Sequence, residues 1–195
     1  MTKSDLLTQI ASRAHCDGYV VGDSTSRYHS QVADAFREAI NELSFTVPLS
    51  DIQYLVKETS LPASSGKVSI PSDFARLIFM EGLFDATSSK VTCNFMLIDN
   101  ALWQNILSGD SEDSDFDPPA GTIYYYINGS DILFHKESDI NGQTVVLHYV
   151  AGAYPDSWSD QFEMTQEAGK FTEKFVTLVK NRAVEILTAE LRGEM

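Results

Sequence analysis

Apolar residues recur along this chain with two different periods, and the change of period divides the sequence into three parts. A helical period runs over about residues 4–15, 30–44 and 170–192. Between residues 54 and 150 the spacing is mostly that of β-strands separated by turns that contain glycine or proline. The pattern predicts one domain over residues 1–195 with an α+β fold, in which N-terminal and C-terminal helices form a helical core around an antiparallel β-rich insertion.

The helices have recognisable starts and apolar stripes. Thr2 or Ser4 can cap the first helix, and Ser30 can cap the second. Six residues of the last helix share one apolar stripe: Phe171, Phe175, Leu178, Val179, Ile186 and Leu187. We therefore expect amphipathic helices that pack against one another.

The first half of the β-rich part predicts two hairpins. Residues 54–58 and 67–70 would form the first, which ends at Pro71-Ser72-Asp73 because proline has no N–H for a sheet ladder. Serine and aspartate at this place can cap a short helical turn. Residues 76–82 are then expected to form a buried strand that pairs with residues 90–98.

The second half predicts a short helix and a meander. Asp99 can cap a helix over 101–107. Asn128-Gly129 then supplies the two positive-φ residues of a type I′ hairpin turn, and a second turn at Asn141-Gly142 leads into residues 144–150. We expect three consecutive antiparallel strands.

Charge limits the partners that the chain can have. Its formal net charge is −14, so it has no general affinity for the phosphates of nucleic acids or for anionic membranes. Residues 170–195 hold five of the fourteen basic residues and could dock on an acidic partner. A solvated, mixed-charge helix face is the simpler interpretation of the same residues.

Cysteine usage and hydropathy predict a soluble protein made in a reducing cytoplasm. Cys16 and Cys93 are far apart and fit no CxxC pattern. The first residues lack the apolar core of a signal peptide, and no apolar run approaches the roughly 20 residues of a membrane span.

The acidic segment around residues 110–117 raises the question of a calcium site. Asp113, Asp115 and Asp117 have the alternate spacing of the first ligands of an EF-hand loop. However, Pro118 stands where the loop needs glycine, and Tyr124 stands where it needs glutamate. We expect a solvated loop, and no metal or cofactor.

Catalytic constellations are weak throughout the sequence. His135 and His148 fall on predicted neighbouring strands, so they could lie close together, but the spacing offers no further zinc ligands. There is no glycine-rich phosphate loop, no nucleophile elbow and no singled-out carboxylate pair. We therefore expect no enzymatic activity and no catalytic residue.

Tyr124, Tyr125 and Tyr126 alternate along a predicted strand. Tyr125 is expected to point inward with Ile123 and Ile127, and the other two tyrosines share the opposite face. That face suits a protein interface, a sugar platform or a second half-buried sheet face.

Four pieces now stand in a definite order: the helix VADAFREAINEL, the turn SIPSDFARLI, the hairpin YYYINGSDILFHKE and the strand VVLHYVAGAYP, followed by the C-terminal helix. This order resembles the head-to-tail adaptor proteins of tailed bacteriophages, also called connector or gatekeeper-type proteins. The resemblance covers about residues 30–192, and the acidic segment 109–119 lies outside its pattern.

The resemblance implies a structural virion protein. Copies would form a homo-oligomeric ring, expected to be a dodecamer, in the neck of a phage particle assembled in the host cytoplasm. The ring would bind the portal protein and the downstream tail or nozzle proteins, without touching a membrane. DNA would pass through it during ejection without specific binding, since an acidic lumen repels DNA.

Charge and position suggest two contact surfaces for such a ring. We expect portal docking by six residues of the C-terminal helix: Lys180, Arg182, Ile186, Leu187, Leu191 and Arg192. We expect tail contacts by loops that contain Asp85, Lys90, Asp110, Asp113, Asp115 and Asp117.

Two alternatives stay open. Another neck or tail-completion protein would share the α+β body and differ in symmetry and partner. A carbohydrate-binding or carbohydrate-acting module would combine a carboxylate pair with exposed aromatic residues, for which the candidates are Tyr124, Tyr126, Trp103 and Trp158.

Overall fold

The computed structural model describes residues 1–83, 94–108, 122–135, 140–153, 157–165 and 170–193. The helices in these ranges are α1 (Lys3–Arg13), α2 (His29–Ser44), α3 (Asn100–Ser108) and α4 (Glu173–Arg192). The strands are β1 (Val56–Pro62), β2 (Lys67–Ser69), β3 (Phe74–Leu83), β4 (Asn94–Leu97), β5 (Thr122–Asn128), β6 (Asp131–Phe134) and β7 (Thr144–Ala151). Short 3₁₀ turns at Leu49–Asp51 and Gln53–Leu55 precede β1.

The chain forms two compact units, and their content confirms the α+β class. A helical unit comprises Met1–Val56 and Ala151–Met195. A β-rich unit comprises Lys57–Val150 and contains α3 in addition to the strands. Where the sequence suggests one domain with a β-rich insertion from residue 54, the insertion is a unit of its own that begins at Lys57.

The helical unit is held by the apolar faces of α1, α2 and α4. Ile10, Phe36, Ile40, Phe175 and Leu187 are at most 1% exposed. Burying each such side chain contributes about 1.5–3 kcal/mol relative to leaving it in water. The predicted stripes are largely confirmed by this core.

One stripe residue of α4 was misplaced. Leu178 is 37% exposed, and Val176 is buried in its stead. In a helix of 20 residues, a position at the edge of the apolar arc is the one that periodicity assigns least well.

Two of the predicted caps have different outcomes. Thr2 caps α1 in a full capping box, since its side chain accepts a hydrogen bond from the N–H of Asp5 at 3.1 Å and the Asp5 carboxylate accepts one from the N–H of Thr2 at 3.0 Å. Ser30 is not the cap of α2. That helix begins at His29, after Tyr28 in a left-handed conformation with φ of 69°, and no side chain caps it.

An aromatic cluster packs the segment 157–165 within the helical unit. Trp158 stacks on Phe162 with ring centroids 4.6 Å apart and also meets Phe36 and Phe171. Tyr54 contacts the same cluster from a 3₁₀ turn, so the prediction that it starts a strand was wrong by two residues.

The first sheet of the β-rich unit has the order β1-β7-β3. Its central strand β7 is buried at Val145, Val146, Leu147, Tyr149 and Val150. A strand with both faces covered reads as a continuous apolar run, and a central position explains the run TVVLHYVA. The predicted meander of β5, β6 and β7 was therefore wrong at its last strand.

The second sheet has the order β2-β6-β5-β4. β2 and β5 pair antiparallel with β6, whereas β4 pairs parallel with β5, with Phe95 opposite Ile123. Neither hairpin predicted for the first half of the insertion forms, because β1 and β3 belong to the first sheet and β2 and β4 to the second. β3 is also less buried than expected, with Phe79 47% exposed.

The turn at Ser65-Gly66 has the backbone geometry of a hairpin turn, but the predicted hairpin does not continue beyond it. Both residues have positive φ, 53° and 68°, as a type I′ turn requires. Ser64 and Lys67 form a single bridge across this turn, and the two arms then enter different sheets.

The hairpin of β5 and β6 is confirmed, with a shifted turn. Asn128 pairs with Asp131, so the loop residues are Gly129 and Ser130. Only Gly129 has positive φ, at 58°, which excludes the predicted type I′ turn.

Pro71-Ser72-Asp73 forms one tight turn that leads directly into a strand, and the predicted short helical turn does not form. The N–H of Phe74 donates to the carbonyl of Pro71 at 3.0 Å, and Phe74 then begins β3. Asp73 caps nothing. Its carboxylate pairs with Lys57 at 2.5 Å and accepts a hydrogen bond from the Tyr149 hydroxyl at 3.0 Å.

Candidate interaction surface

A charged groove runs along α2 and α4 in the helical unit. The inner face of α2 is buried, so its outer face presents Asp34, Glu38, Glu42 and the terminal Phe45. α4 contributes Arg182 to the same groove. Phe45 is 47% exposed at one end, so the groove combines an apolar contact with charges of both signs. We call these residues, together with Arg37, the α2–α4 groove.

The cations of the groove are held by carboxylates of the same chain. Arg182 donates to Glu42 at 2.8 Å and to Glu185 at 3.1 Å, and Arg37 pairs with Asp34. The hydrogen bond to Glu42, followed by that to Glu185, raises the pKa of Arg182. These exposed pairs each contribute at most about 1 kcal/mol to stability, and they fix the orientation of the charged side chains in the groove.

The six residues expected to dock on a portal divide into three groups. Ile186 and Leu187 lie in the core of the helical unit and are 5% and 0% exposed. Lys180 donates to Gln9 of α1 at 3.2 Å, and Arg182 belongs to the α2–α4 groove. Leu191 and Arg192 are exposed at the C-terminal end of α4.

The expected tail-facing residues lie outside the described residues. They are Asp85, Lys90, Asp110, Asp113, Asp115 and Asp117.

The aromatic residues considered for a sugar platform are engaged in packing. Trp103 is 6% exposed and stacks on Tyr126 at 5.8 Å. Tyr125 is buried and Tyr124 and Tyr126 are half-buried on the other face, as the alternation predicts. Trp158 is surrounded by the aromatic cluster of the helical unit. Neither tryptophan offers the broad open face that a sugar ring needs.

The two strand histidines are not brought together. His135 follows β6 in the second sheet and lies beside Tyr124, whereas His148 lies in β7 of the first sheet. The meander that would have placed them on neighbouring strands does not form. Among the described residues there is no group of three or more side chains able to hold a metal ion.

Sequence reasoning missed a cavity of about 270 Å³ in the helical unit. Its lining includes Lys3, Tyr19, His29 and Asp160. Burial, and then the charge of Asp160, raises the pKa of Tyr19 to about 12, so this phenol is a hydrogen-bond donor at neutral pH. No sequence motif could have found the set, because Asp160 lies far along the chain from the others.

Cys16 is a buried thiol without a disulfide, and burial raises its pKa. Cys93 lies outside the described residues.

Within the part of the chain that the structure describes, no helix has the length and apolar character needed to cross a membrane. The sequence matches no protein-family model and no curated protein.

Proposed function

We propose that this chain is a structural subunit of the tailed-phage virion, where it forms a ring between the portal and the tail. The observation that carries the proposal is the α2–α4 groove, in which an exposed aromatic residue lies beside charges of both signs. Protein interfaces are enriched in aromatic and arginine residues of this kind. The ordered motifs that resemble head-to-tail adaptors support the same function.

Ring closure needs a heterologous interface, in which one surface of a subunit meets a different surface of the next. The groove supplies one such surface. Its alternating charges would set the register of the neighbouring copy, and Phe45 would be the buried anchor.

The net charge of −14 supports passage of DNA through the ring. A lumen lined by like charge repels the phosphates, so DNA slides without being held. The exposed end of α4, with Leu191 and Arg192, is the part of the expected docking surface that is available to a portal.

Electron microscopy of the purified chain mixed with portal rings tests the proposal. We expect rings stacked coaxially on the portal. A chain that stays monomeric at all concentrations and never attaches to the portal would overturn it. Binding of glycans by that monomer would instead favour a carbohydrate-binding module.

Two variants separate ring formation from docking. Phe45→Lys is expected to weaken self-association by about tenfold or more, measured by light scattering coupled to size-exclusion chromatography. The matched control is Val20→Ser, since Val20 is a comparably exposed residue outside the groove, at 54%. Leu191→Ala with Arg192→Ala is expected to leave rings intact and to reduce their attachment to the portal.

A further inference from the structure

Two Asn-Gly pairs occur in the chain, and both stand in turns of the β-rich unit. They are Asn128-Gly129 in the hairpin of β5 and β6, and Asn141-Gly142 before β7. An isoleucine precedes each pair, so the two sites have almost the same local sequence. A large difference in their chemical reactivity in the folded chain therefore has to come from the structure.

An asparagine that is followed by glycine is open to an intramolecular reaction. The main-chain nitrogen of the glycine gives its proton to water and attacks Cγ of the asparagine, so that a new C–N bond closes a succinimide ring. The bond from Cγ to Nδ2 breaks, and this nitrogen takes a proton from water and departs as ammonia. Water then opens the ring at either carbonyl, which leaves aspartate or isoaspartate. Glycine favours ring closure because it has no Cβ to hinder the approach.

Hydrogen bonds hold both reacting groups at the second pair. The N–H of Gly142 donates to the carbonyl of Ala63 at 2.9 Å, so the nitrogen that would attack is engaged and stays protonated. Ala63 is 2% exposed, which shields this hydrogen bond from water. Oδ1 of Asn141 accepts the N–H of Ser65 at 2.9 Å, which fixes the asparagine side chain. Ring closure at this site requires both hydrogen bonds to open.

The first pair has neither restraint. Asn128 and Gly129 are exposed, and the N–H of Gly129 has no hydrogen-bond acceptor among the described residues. The side chain of Asn128 likewise makes no hydrogen bond within that part of the chain. A Cβ placed on Gly129 or on Gly142 would meet nothing within 4 Å, so both turns have room around the glycine. Hydrogen bonding, and not the available space, distinguishes the two sites.

We propose that Asn128 is a site of spontaneous deamidation in the folded chain, and that the hydrogen bonds around Gly142 protect the second site. The product carries a carboxylate at position 128, directly opposite Asp131 in the hairpin register. Like charges opposite each other destabilise a strand pair, so the new charge weakens the pairing of β5 with β6. The isoaspartate product also lengthens the main chain by a methylene group, which disturbs the register of the turn.

Peptide mapping by mass spectrometry tests the proposal on the intact folded chain after incubation at neutral and at mildly alkaline pH. Each site reports its reaction by the mass change from amide to acid, and an isoaspartate-specific methyltransferase labels the isomerised product. We expect Asn128 to react at least about tenfold faster than Asn141, because two hydrogen bonds must open at the second site. The rate at Asn128 should rise with pH, since the attacking nitrogen has to lose its proton.

The unfolded chain is the matched control. In strong denaturant the protecting hydrogen bonds are lost, so the two sites should react at rates within about a factor of two of each other. Equal rates in the folded chain, or a faster reaction at Asn141, would overturn the proposal. The same ratio of rates in the folded and the denatured chain would overturn it as well.

Two variants test the effect on the hairpin. Asn128→Asp introduces the charge of the product without the extra methylene group, and is expected to shift the unfolding equilibrium constant about two- to fivefold toward the unfolded state at neutral pH. High salt should reduce this shift. Asn128→Ser removes the amide without adding a charge and is the matched control. An aspartate variant as stable as the serine variant would refute the predicted weakening of the strand pair.

Discussion

Tyr149 donates a hydrogen bond from its hydroxyl to Oδ1 of Asp73 at 3.0 Å, and this contact fastens the turn before β3 to the centre of the first sheet. Oδ2 of the same carboxylate pairs with Lys57 of β1. One aspartate thus connects all three strands of the sheet, β1, β7 and the start of β3.

Asp73→Asn is expected to lower stability at neutral pH and to lose its effect in acid. The hydrogen bond from Lys57, with that from Tyr149, lowers the pKa of Asp73 below its usual value. The ionised carboxylate therefore contributes stability above the unfolded-state pKa of about 3.9, and the contribution disappears as pH falls through the folded-state pKa. Urea unfolding at pH 7 and at successively lower pH measures this. A difference between the two proteins that stays constant down to about pH 2 would contradict the assignment.

Tyr149→Phe is expected to cost about 1 kcal/mol at neutral pH, because the half-buried Asp73 carboxylate loses its hydroxyl donor. Burial, with the hydrogen bond and charge of Asp73, raises the pKa of Tyr149 to about 12. The folded state therefore holds this proton more tightly than the unfolded state does. The stabilisation is present below the unfolded-state pKa of about 10 and is lost as pH rises through 12.

The difference in unfolding free energy between the two proteins should shrink as pH rises above about 10, because only the tyrosine ionises. A double-mutant cycle with Asp73→Asn supplies the control, since the two substitutions remove the same contact. Additive free energies in that cycle would show that the residues are not coupled.

Thr172→Ala is expected to destabilise the helical unit by about 2 kcal/mol. Oγ1 of Thr172 accepts the N–H of Phe175 at 3.2 Å as the cap of α4, and its hydroxyl also donates to Oδ1 of Asp51 at 3.0 Å. Asp51 is 8% exposed, so removing the donor leaves a buried carboxylate short of a hydrogen bond. Thermal and urea unfolding measure the loss. Thr172→Ser keeps the hydroxyl, so its stability should be close to that of the unmodified protein. Equal losses of stability in the alanine and serine variants would refute the capping role.

Leu187→Ala and Leu191→Ala should differ sharply although they are one helical turn apart. Leu187 is fully buried, and its truncation leaves a cavity that costs about 2–5 kcal/mol. Leu191 is 42% exposed, so its truncation should change stability by less than about 0.5 kcal/mol. Equilibrium denaturation measures both. Similar losses at the two sites would mean that the end of α4 is packed, and would remove Leu191 from the proposed docking surface.

Gly129→Ala tests the shifted hairpin turn. A Cβ at this position would meet nothing within 4 Å, so the cost comes only from the positive φ of 58°. We expect a loss of about 1 kcal/mol, and a smaller loss for Gly129→Asn because asparagine tolerates the left-handed conformation. Equal losses of stability in the alanine and asparagine variants would argue against a positive φ at this residue.

The helices could be predicted because their signals are local. The apolar face of α2 at Val32, Phe36 and Ile40 depends on spacing within one segment, and the cap at Thr2 depends on its neighbours. Strand positions were also found locally, as the alternation around Tyr125 shows. Periodicity carries this information because it reports which side of an element faces away from water.

Strand pairing could not be predicted in the same way. The turn at Ser65-Gly66 has hairpin geometry, and yet its arms enter different sheets. Pairing is decided by which distant strand buries each face, and β7 reaches the centre of the first sheet because its apolar run needs cover on both sides. The groove likewise joins residues far apart in sequence, such as Glu42 with Arg182.

The helical unit is assembled from two stretches of chain with all of Lys57–Val150 between them. A ribosome therefore synthesises the whole β-rich unit before it has made the first residue of α4. Domains fold as units during synthesis, so the sheets can form while α1 and α2 still lack the helix that covers Phe36 and Ile40. The order of synthesis thus leaves the apolar faces of the nascent N-terminal helices uncovered until the C-terminal segment of their own unit has been made.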